Sequence, residues 1–368
     1  MELETPAPSA TEEHRFPCTT CGADMRFDPA KGLLSCDHCG AQMALDTGDA
    51  TPPRELDFKT ALAAQLPAQA MEDTRTARCP NCGAEVEFDA DLHATECPFC
   101  ATPVVTDTGQ HRQIKPHGLL PFALTEEQAR DAMVDWLGQL WFAPNGLKDY
   151  ARKGRKLSGV YLPYWTFDAQ TRTSYRGERG DDYYTSRTVV RNGKRQTIRQ
   201  RRTRWRAASG RVSRFFDDVL VLASRALPRK FSEGLEPWDL SELEPYIPDY
   251  LAGFRATAYS VELEEGYEDA RAYMDRLILR DVKFDIGGDR QRVHDMHTAV
   301  SDVTFKHILL PIWMAAYKYR GKSYRFVVNG RTGRVQGERP YSAWKIAFAV
   351  ICGLIVAGVI GYFVAMNQ

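Results

Sequence analysis

The 368-residue chain contains none of the short motifs that mark nucleotide or acyl chemistry. There is no G-x-x-x-x-G-K-[ST] loop to cradle phosphates and no G-x-G-x-x-G after a strand-like run. No G-x-S-x-G elbow exposes a serine nucleophile. Histidine is scarce, at 8 residues. Its one close pair, His294 and His297 in "HDMH", reads as part of a polar loop rather than a metal site. The acidic neighbours Asp181-Asp182 and Asp217-Asp218 would point to opposite sides of a strand, which denies each pair a shared acid–base role. These absences predict a protein that is not an enzyme. The N-terminus, "MELETPAPSATEEHR", has neither the basic start nor the apolar stretch of a secretory signal, and residues 1–15 read as a disordered tail.

Net charge is missing too, because 48 basic and 48 acidic side chains cancel. The cancellation hides a sorting along the chain. Residues 1–110 hold 7 Lys and Arg against 19 Asp and Glu, a net of −12, whereas residues 111–214 hold 22 against 9, a net of +13. Charge sorted in this way speaks about partners where the total does not.

Long apolar runs are absent except for one. "AFAVICGLIVAGVIGYFVAM", from Ala347 to Met366, has no charge in twenty residues. At 1.5 Å per residue that is roughly 30 Å, the thickness of a bilayer's hydrocarbon core. We therefore expect a transmembrane helix over 343–366. Arg334, Arg339 and Lys345 flank it on the N-terminal side and no positive charge follows, so the flank that stays cytoplasmic carries the soluble part with it. The expectation is a tail-anchored, single-pass protein of the cytoplasmic membrane. Within the span, Ala349, Gly353, Ala357, Gly361 and Ala365 recur every four residues. Such a ridge lets a second helix approach closely, which predicts helix pairing or homo-oligomers in the membrane.

Cysteine, in contrast, is arranged with care. "CTTCGADMRFDPAKGLLSCDHC" and "CPNCGAEVEFDADLHATECPFC" share the frame C-x2-C-x14-C-x2-C, and one offset superimposes Cys18, Cys21, Cys36 and Cys39 on Cys79, Cys82, Cys97 and Cys100. In a reducing compartment such pairs read as metal sites rather than disulfides. Four thiolates on two tight knuckles can surround one Zn²⁺ tetrahedrally, and a site filled by four sulfurs leaves no position for a catalytic water. Two structural zinc ions are expected, with iron in a rubredoxin-like site as the other occupant of such a cage. Gly22, Gly40 and Gly83 follow the second cysteine of three knuckles, where the turn favours a permissive residue, and Ala101 takes that place in the fourth. "MRFD" and "VEFD" align as short hairpin strands. We assign ribbon 1 to 16–45 and ribbon 2 to 77–106. Their acidity argues against phosphate contacts, which need Lys and Arg. Nucleic acid is thus a disfavoured partner for the ribbons, and protein docking or a spacer role is preferred.

Residues 46–76, rich in Ala, Pro and Thr, read as a linker with one short helix near Phe58–Gln65. An α+β domain is expected over 110–340. Thr125 and Gln128 form a capping box. Ala129, Ala132, Met133, Trp136, Leu137, Leu140 and Trp141 follow with helical spacing until Pro144 and Gly146. "GVYLPYWTFDAQ" has an echo in "HILLPIWMAAYK", where Leu162, Pro163 and Trp165 match Leu310, Pro311 and Trp313. An amphipathic helix precedes each, the second over 266–283 with Tyr267, Ala270, Met274, Leu277 and Ile278 on one face. We read this as a duplicated unit of helix then antiparallel sheet. Asn192-Gly193 and "VVNGRTGRV" mark hairpin turns. The first hairpin is densely basic, with Arg187, Arg191, Lys194, Arg195, Arg199, Arg201, Arg202, Arg204 and Arg206 around Trp205. Anionic lipid, an acidic protein surface and nucleic acid all fit it. Lipid or protein rank first if the anchor holds the hairpin near the membrane.

The two cysteine frames, "GLLPFALTEEQA", "WLGQLWFAPN", "GVYLPYWTFDA", "LLPIWMAAYKYRGKSYRFVVNGRTGRVQGERP" and the terminal span together resemble a bacterial family of TFIIB-type zinc-ribbon-containing membrane proteins. Some members carry the label primosomal protein N′ or replication-factor-Y helicase-like, and no helicase motif is present here. Relatives neighbour phage-shock (PspA-like) and SPFH (flotillin-like) proteins. The resemblance implies a scaffold or adaptor that recruits such partners to the cytoplasmic face, with the eight cysteines as zinc ligands.

Overall fold

The computed structural model describes residues 16–46, 52–67, 70–81, 83–87, 94–97, 99, 102–105, 110–139, 157–191, 194–319, 322–338 and 343–366. In chain order these form β1 (Met25–Asp28), β2 (Leu33–Cys36), β3 (Gln42–Met43), β4 (Leu56–Asp57), α1 (Phe58–Leu62), β5 (Met71–Arg78), β6 (Glu85–Glu87), β7 (Ala94–Glu96), β8 (Pro103–Val105), β9 (Gln110–Ile114), β10 (Gly118–Leu119), α2 (Glu126–Gln139), β11 (Ser158–Arg191), β12 (Lys194–Leu222), α3 (Arg229–Leu235), β13 (Glu244–Pro245), β14 (Arg255–Ala256), α4 (Leu263–Ile286), β15 (Arg290–Tyr319), β16 (Lys322–Asn329), β17 (Val335–Gly337) and α5 (Ala343–Met366). The fold is α+β and dominated by one sheet. Its three longest strands, β11, β12 and β15, have 34, 29 and 30 residues.

The centre of the sheet is the antiparallel pairing of β11 with β15, in which Leu162 lies directly opposite Leu310. These are the matching leucines of the two Leu-Pro-x-Trp echoes, so the duplication read from the sequence becomes a pseudo-two-fold axis through that pair. Outward from it the order β12-β11-β15-β16 is symmetric. β14 runs parallel to Val160 and Tyr161, and β10 runs parallel to the equivalent Ile308 and Leu309. The hydrogen bonds repeat as well. Trp165 donates its indole N–H to Val261 O at 2.9 Å, and Trp313 donates to Leu124 O at 3.0 Å. Each carbonyl sits at the entrance to a helix, α4 and α2 respectively. Pro163 O accepts from Ala223 N at 3.0 Å, and Pro311 O accepts from Gly330 N at 2.9 Å. The helix that precedes one half therefore packs on the other half.

Burial follows the period-two alternation of the strands. Val160, Leu162, Tyr164, Ile308, Leu310 and Ile312 face one cluster, with α3. Tyr161, Leu309 and Trp313 face the other side, with α2. Farther along that second side, Trp165, Phe167 and Phe305 meet α4 through Ala270, Met274, Ile278, Val282 and Ile286. Both helices keep the expected faces. The capping box of α2 is reciprocal: Thr125 N donates to Gln128 Oε1 at 2.9 Å, and Gln128 N to Thr125 Oγ1 at 3.4 Å. Ala129, Met133 and Leu137 are buried. Leu140, Trp141, Pro144 and Gly146 lie outside the described residues.

Several expectations change. The stretch read as a linker is partly built into the body. Leu56 and Asp57 pair with Phe305 and Thr304, and Phe58 fills a gap between Phe167, at 6.1 Å, and Tyr267, at 4.4 Å. "HDMH" is not a loop but part of β15. The basic hairpin is not a local turn but the tip of the longest strand pair. Arg191 pairs with Lys194, which leaves a two-residue connection at Asn192-Gly193, themselves outside the described residues. Pairing with β15 stops at Gly180–Arg290, so beyond it the hairpin is a two-stranded arm.

Where the layered body passes into this extension, β11 is flanked by two bulges, and Asp218 and Asp302 adopt positive φ of 50° and 54°. Asp168 lies between them, only 3% exposed. Its carboxylate accepts from Asp218 N at 2.5 Å. Lys306 Nζ sits 2.7 Å from Asp218, 3.3 Å from Glu55 and 3.8 Å from Asp168. Burial pushes the Asp168 carboxyl up to about 6; the Asp218 N–H opposes this and Glu55 adds to it.

The pseudo-equivalent tryptophans give a matched test. Trp165→Phe and Trp313→Phe each leave a buried carbonyl without its donor, which costs about 1–3 kcal/mol. We expect similar losses for the two in denaturant unfolding of the full chain in detergent. A second expectation concerns His307, which is buried between Trp165 and Tyr259 and donates from Nδ1 to Ile114 O at 2.7 Å. Burial pushes its pKa down to about 3. Below about 6.5 the unfolded chain takes up a proton there that the fold refuses. Stability should therefore fall as pH drops from about 6.5 toward 3, by about 1.4 kcal/mol per unit from this residue. His307→Gln should flatten that slope in the same unfolding measurement.

Candidate metal centre

The first cysteine segment folds as a small antiparallel sheet in the order β1-β2-β3. Each knuckle is held by the same two backbone bonds. Cys18 N donates to Ala23 O at 2.7 Å and Gly22 N returns to Cys18 O at 2.8 Å; Cys36 N to Ala41 O and Gly40 N to Cys36 O are both 2.9 Å. Gly22 and Gly40 have φ of +76° and +73°, the left-handed conformation expected of residues following the second cysteine. The turn between β1 and β2 is closed by Gly32 N to Asp28 O at 2.8 Å.

These turns bring four sulfurs together. The Sγ atoms of Cys18, Cys21, Cys36 and Cys39 all lie within 4.8 Å of one another. Cys18 and Cys39 are 3.5 Å apart, and Cys21 and Cys36 are 3.6 Å apart. In a tetrahedron with metal–thiolate bonds of about 2.3 Å, sulfurs stand about 3.8 Å apart. The observed separations fit that cage and are too long for a disulfide, in which sulfurs are about 2.05 Å apart. Backbone N–H groups of Thr20 and Cys21 aim at the Cys18 sulfur and lower its pKa to about 6. Cys21 accepts from Ala23 N–H, yet the crowd of neighbouring sulfurs, Cys39 foremost, together with burial, pushes it up to about 12. One thiolate forms readily and the next resists. A dication at the centre removes that conflict, because it stabilises all four anions together. These four cysteines can hold a metal ion, and with four protein sulfurs none of its positions stays open.

The ribbon is fixed to the body. Phe27 N donates to Ala252 O at 3.0 Å, and its ring meets Tyr250 at 5.2 Å and Phe254 at 6.5 Å. Asp249 accepts from Asp46 N at 2.8 Å. Cys18 and Cys36 are buried, while Cys21 and Cys39 face solvent.

Of the second frame, Cys79 and Cys97 are described and buried, as are their counterparts Cys18 and Cys36. Cys82, Cys100 and Ala101 lie outside the described residues. The knuckle bonds recur: Cys79 N to Ala84 O at 2.8 Å, Gly83 N to Cys79 O at 2.9 Å, and Cys97 N to Thr102 O at 2.9 Å. Gly83 also has positive φ, +74°. Val86, Phe99 and Val104 join the cluster on the α3 side of the sheet.

The nine basic residues all fall on β11 and β12 and share no single pocket. Arg201 pairs with Asp182 at 3.5 Å and Arg206 with Asp181 at 3.3 Å. Arg199 and Arg204 lie over Tyr184 and Tyr183. Arg187, Arg195 and Arg202 lie on exposed stretches of the arm, and the side chains of Arg191 and Lys194 are outside the described set. Trp205 lies under Arg292, at 3.8 Å. His294 is near Glu178, at 3.5 Å. In α5, Trp344–Val364 is long and apolar enough to cross a membrane, and none of it is buried. Ala349, Gly353, Ala357 and Gly361 lie exposed along it. The knot of Asp168, Asp218, Glu55 and Lys306 had no sequence signal, because its members are spread over 251 positions.

No family model matches the chain. No solved structure matches it either. It is 28% identical over 352 residues to the uncharacterized protein YdjG of Bacillus subtilis (strain 168), in an alignment covering 92% of this chain and 94% of that one. The likeness therefore extends well beyond the cysteine segments.

Metal content gives the direct check. Purified protein should contain at least one tightly held metal ion per chain by elemental analysis, and a strong chelator at pH 5 should remove it faster than at pH 8, because thiolates must protonate to let go. Cys18→Ser with Cys36→Ser should abolish the first site and leave at most the ion bound by the second frame.

Proposed function

We propose that the chain is a single-pass scaffold or adaptor of the cytoplasmic membrane. Helix α5 anchors it, and the sheet body and ribbons lie on the cytoplasmic side. Two structural zinc ions hold two ribbons, one in Cys18, Cys21, Cys36 and Cys39 and one in Cys79, Cys82, Cys97 and Cys100. The ribbons dock protein partners of the SPFH-like or PspA-like kind that the family resemblance implies. The protein is not an enzyme.

The observation that carries this reading is the closed four-sulfur cage on a ribbon whose inner side is fixed to the body. Such a cage has no open position at which a metal could activate water or substrate. It stiffens a surface about 25 residues long that has too little core of its own. Cys21 and Cys39 face outward on that surface while Phe27 holds its back. The exposed apolar helix supports the anchor, and Arg334 and Lys345 before it support the cytoplasmic side.

Crosslinked affinity purification of the full chain from its native membrane tests the proposal. A partner should be recovered with the intact chain and lost on deletion of residues 1–105 or on combining Cys18→Ser, Cys36→Ser, Cys79→Ser and Cys97→Ser. Recovery of the same partner after that deletion would show that docking lies elsewhere.

A further inference from the structure

The two-stranded arm carries charge that its own chain does not neutralise. From Tyr183 to Arg206 there are nine Lys and Arg and no Asp or Glu. Asp181 and Asp182 at its base engage Arg206 and Arg201. The chain's acidic excess lies in its first 110 residues, and in the first ribbon Asp24 and Asp37 are exposed. Four thiolates around a dication would add two further negative charges there.

Architecture keeps these two regions apart. The first ribbon is fixed through Phe27 to Tyr250 and Phe254, beside Tyr161 and Trp313. The arm begins after Gly180 and continues to Arg191, so its tip is about 30 residues along β11 from Tyr161. At ~3.3 Å per residue that is on the order of 100 Å. The same register shows where the chain leaves the sheet for the membrane helix. Phe326 pairs with Gly337 and with Ala315, level with the start of β11, and β17 runs away from the arm. The arm is therefore at the end of the sheet opposite the exit to α5, which weakens the reading in which it lies on the lipid around its own anchor. Nor does the body need the arm to close. The pseudo-equivalent hairpin, β15 with β16, turns after Tyr319, whereas β11 continues to Arg191. Identical arms would bring Arg-rich edges together, a standard block on edge-to-edge pairing.

We infer that the arm docks on the first cysteine ribbon of a second copy, head to tail. Such a contact joins unlike surfaces, so it need not close on a dimer and can extend to a row of copies. It rests on charge complementarity and weakens as salt screens it. It needs no other protein, so it stands or falls separately from partner docking on the ribbons.

Full-length protein in detergent, followed by sedimentation velocity from 0.05 to 0.5 M NaCl, tests this. Assemblies larger than a dimer should form at low salt and dissolve at high salt. Combining Arg195→Glu, Arg199→Glu and Arg202→Glu should weaken association at least tenfold while metal content stays unchanged, which shows that the ribbon is intact. A photocrosslinker in place of Tyr184, which is 61% exposed, should attach to residues 16–46 of another copy. Pairing that ignores salt and arm reversal would be due to α5 and would overturn the inference. So would crosslinks confined to arm residues, or an arm that leaves the protein monomeric yet binds a DNA duplex or phosphatidylglycerol vesicles in a salt-dependent way.

Discussion

The pairing of Leu162 with Leu310 organises the whole body. The two strands meet antiparallel at that point, and the local sequences on either side, Leu-Pro-x-Trp in both, are thereby placed in two-fold relation. Each tryptophan then reaches the entrance of the helix that belongs, by chain order, to the other half. A buried indole N–H needs a partner, and a helix entrance in the same apolar layer supplies a carbonyl. The result is reciprocal. α2 requires the second half's strands to cover its buried face, and α4 requires the first half's. Neither half has a complete core alone, so the duplication produces one cooperative domain rather than two.

That symmetry breaks at Asp168. Up to there both sides of the sheet are covered, and beyond it only α4 covers one side while Arg172, Ser174 and Arg176 are exposed on the other. The bulges on both neighbours of β11 coincide with this change of layering, and bulges increase local twist. A buried knot of three carboxylates and one ammonium secures the junction. Its charges do not balance, which is why the Asp168 carboxyl holds its proton to about 6. The arm thus departs from a stiff, charge-bonded collar. Farther out, Arg214 grips Asp281 of α4 through two bonds of 2.6 and 2.8 Å, and Tyr175 reaches Asp285 at 2.6 Å.

What could be read from the sequence was whatever has a short period or a fixed local spacing. The cysteine frame, the capping box at Thr125, the apolar stripe of α4 and the uncharged run of α5 each declare themselves within some twenty residues. The Leu-Pro-x-Trp echo could be read as a repeat, but not the fact that its two copies face each other in register. The arm was under-read for a physical reason. A two-stranded ribbon with both faces wet has no apolar alternation to reveal it, so Arg-rich strand and Arg-rich loop look alike. "HDMH" failed in the same way, since its exposed strand is polar on one side and only lightly covered on the other. The Asp168 knot was invisible because its members approach only after the sheet and β4 have formed.

The cysteine ribbon is joined to this symmetric centre through aromatic contacts. Phe27 meets Phe254, which stacks on Phe122 at 4.2 Å with an interplanar angle of 13°, and Phe122 meets Trp313 at 4.9 Å. Trp313 in turn donates to the entrance of α2. Each step is a close-packed contact between rings of two or fewer flexible torsions, and packed rings resist small displacements collectively. The four sulfurs set the shape of the turn that presents Phe27, since Met25 and Phe27 lie between the two knuckles on β1. Without a cation, repulsion among the sulfurs keeps the later thiols protonated and removes the tetrahedral constraint on both turns. Loosening would be felt first at Phe27 and only then along the column toward Trp313. Metal occupancy and the seating of α2 are in this sense parts of one packing problem, and the ribbon is better regarded as an outer layer of the body than as a bead on a string.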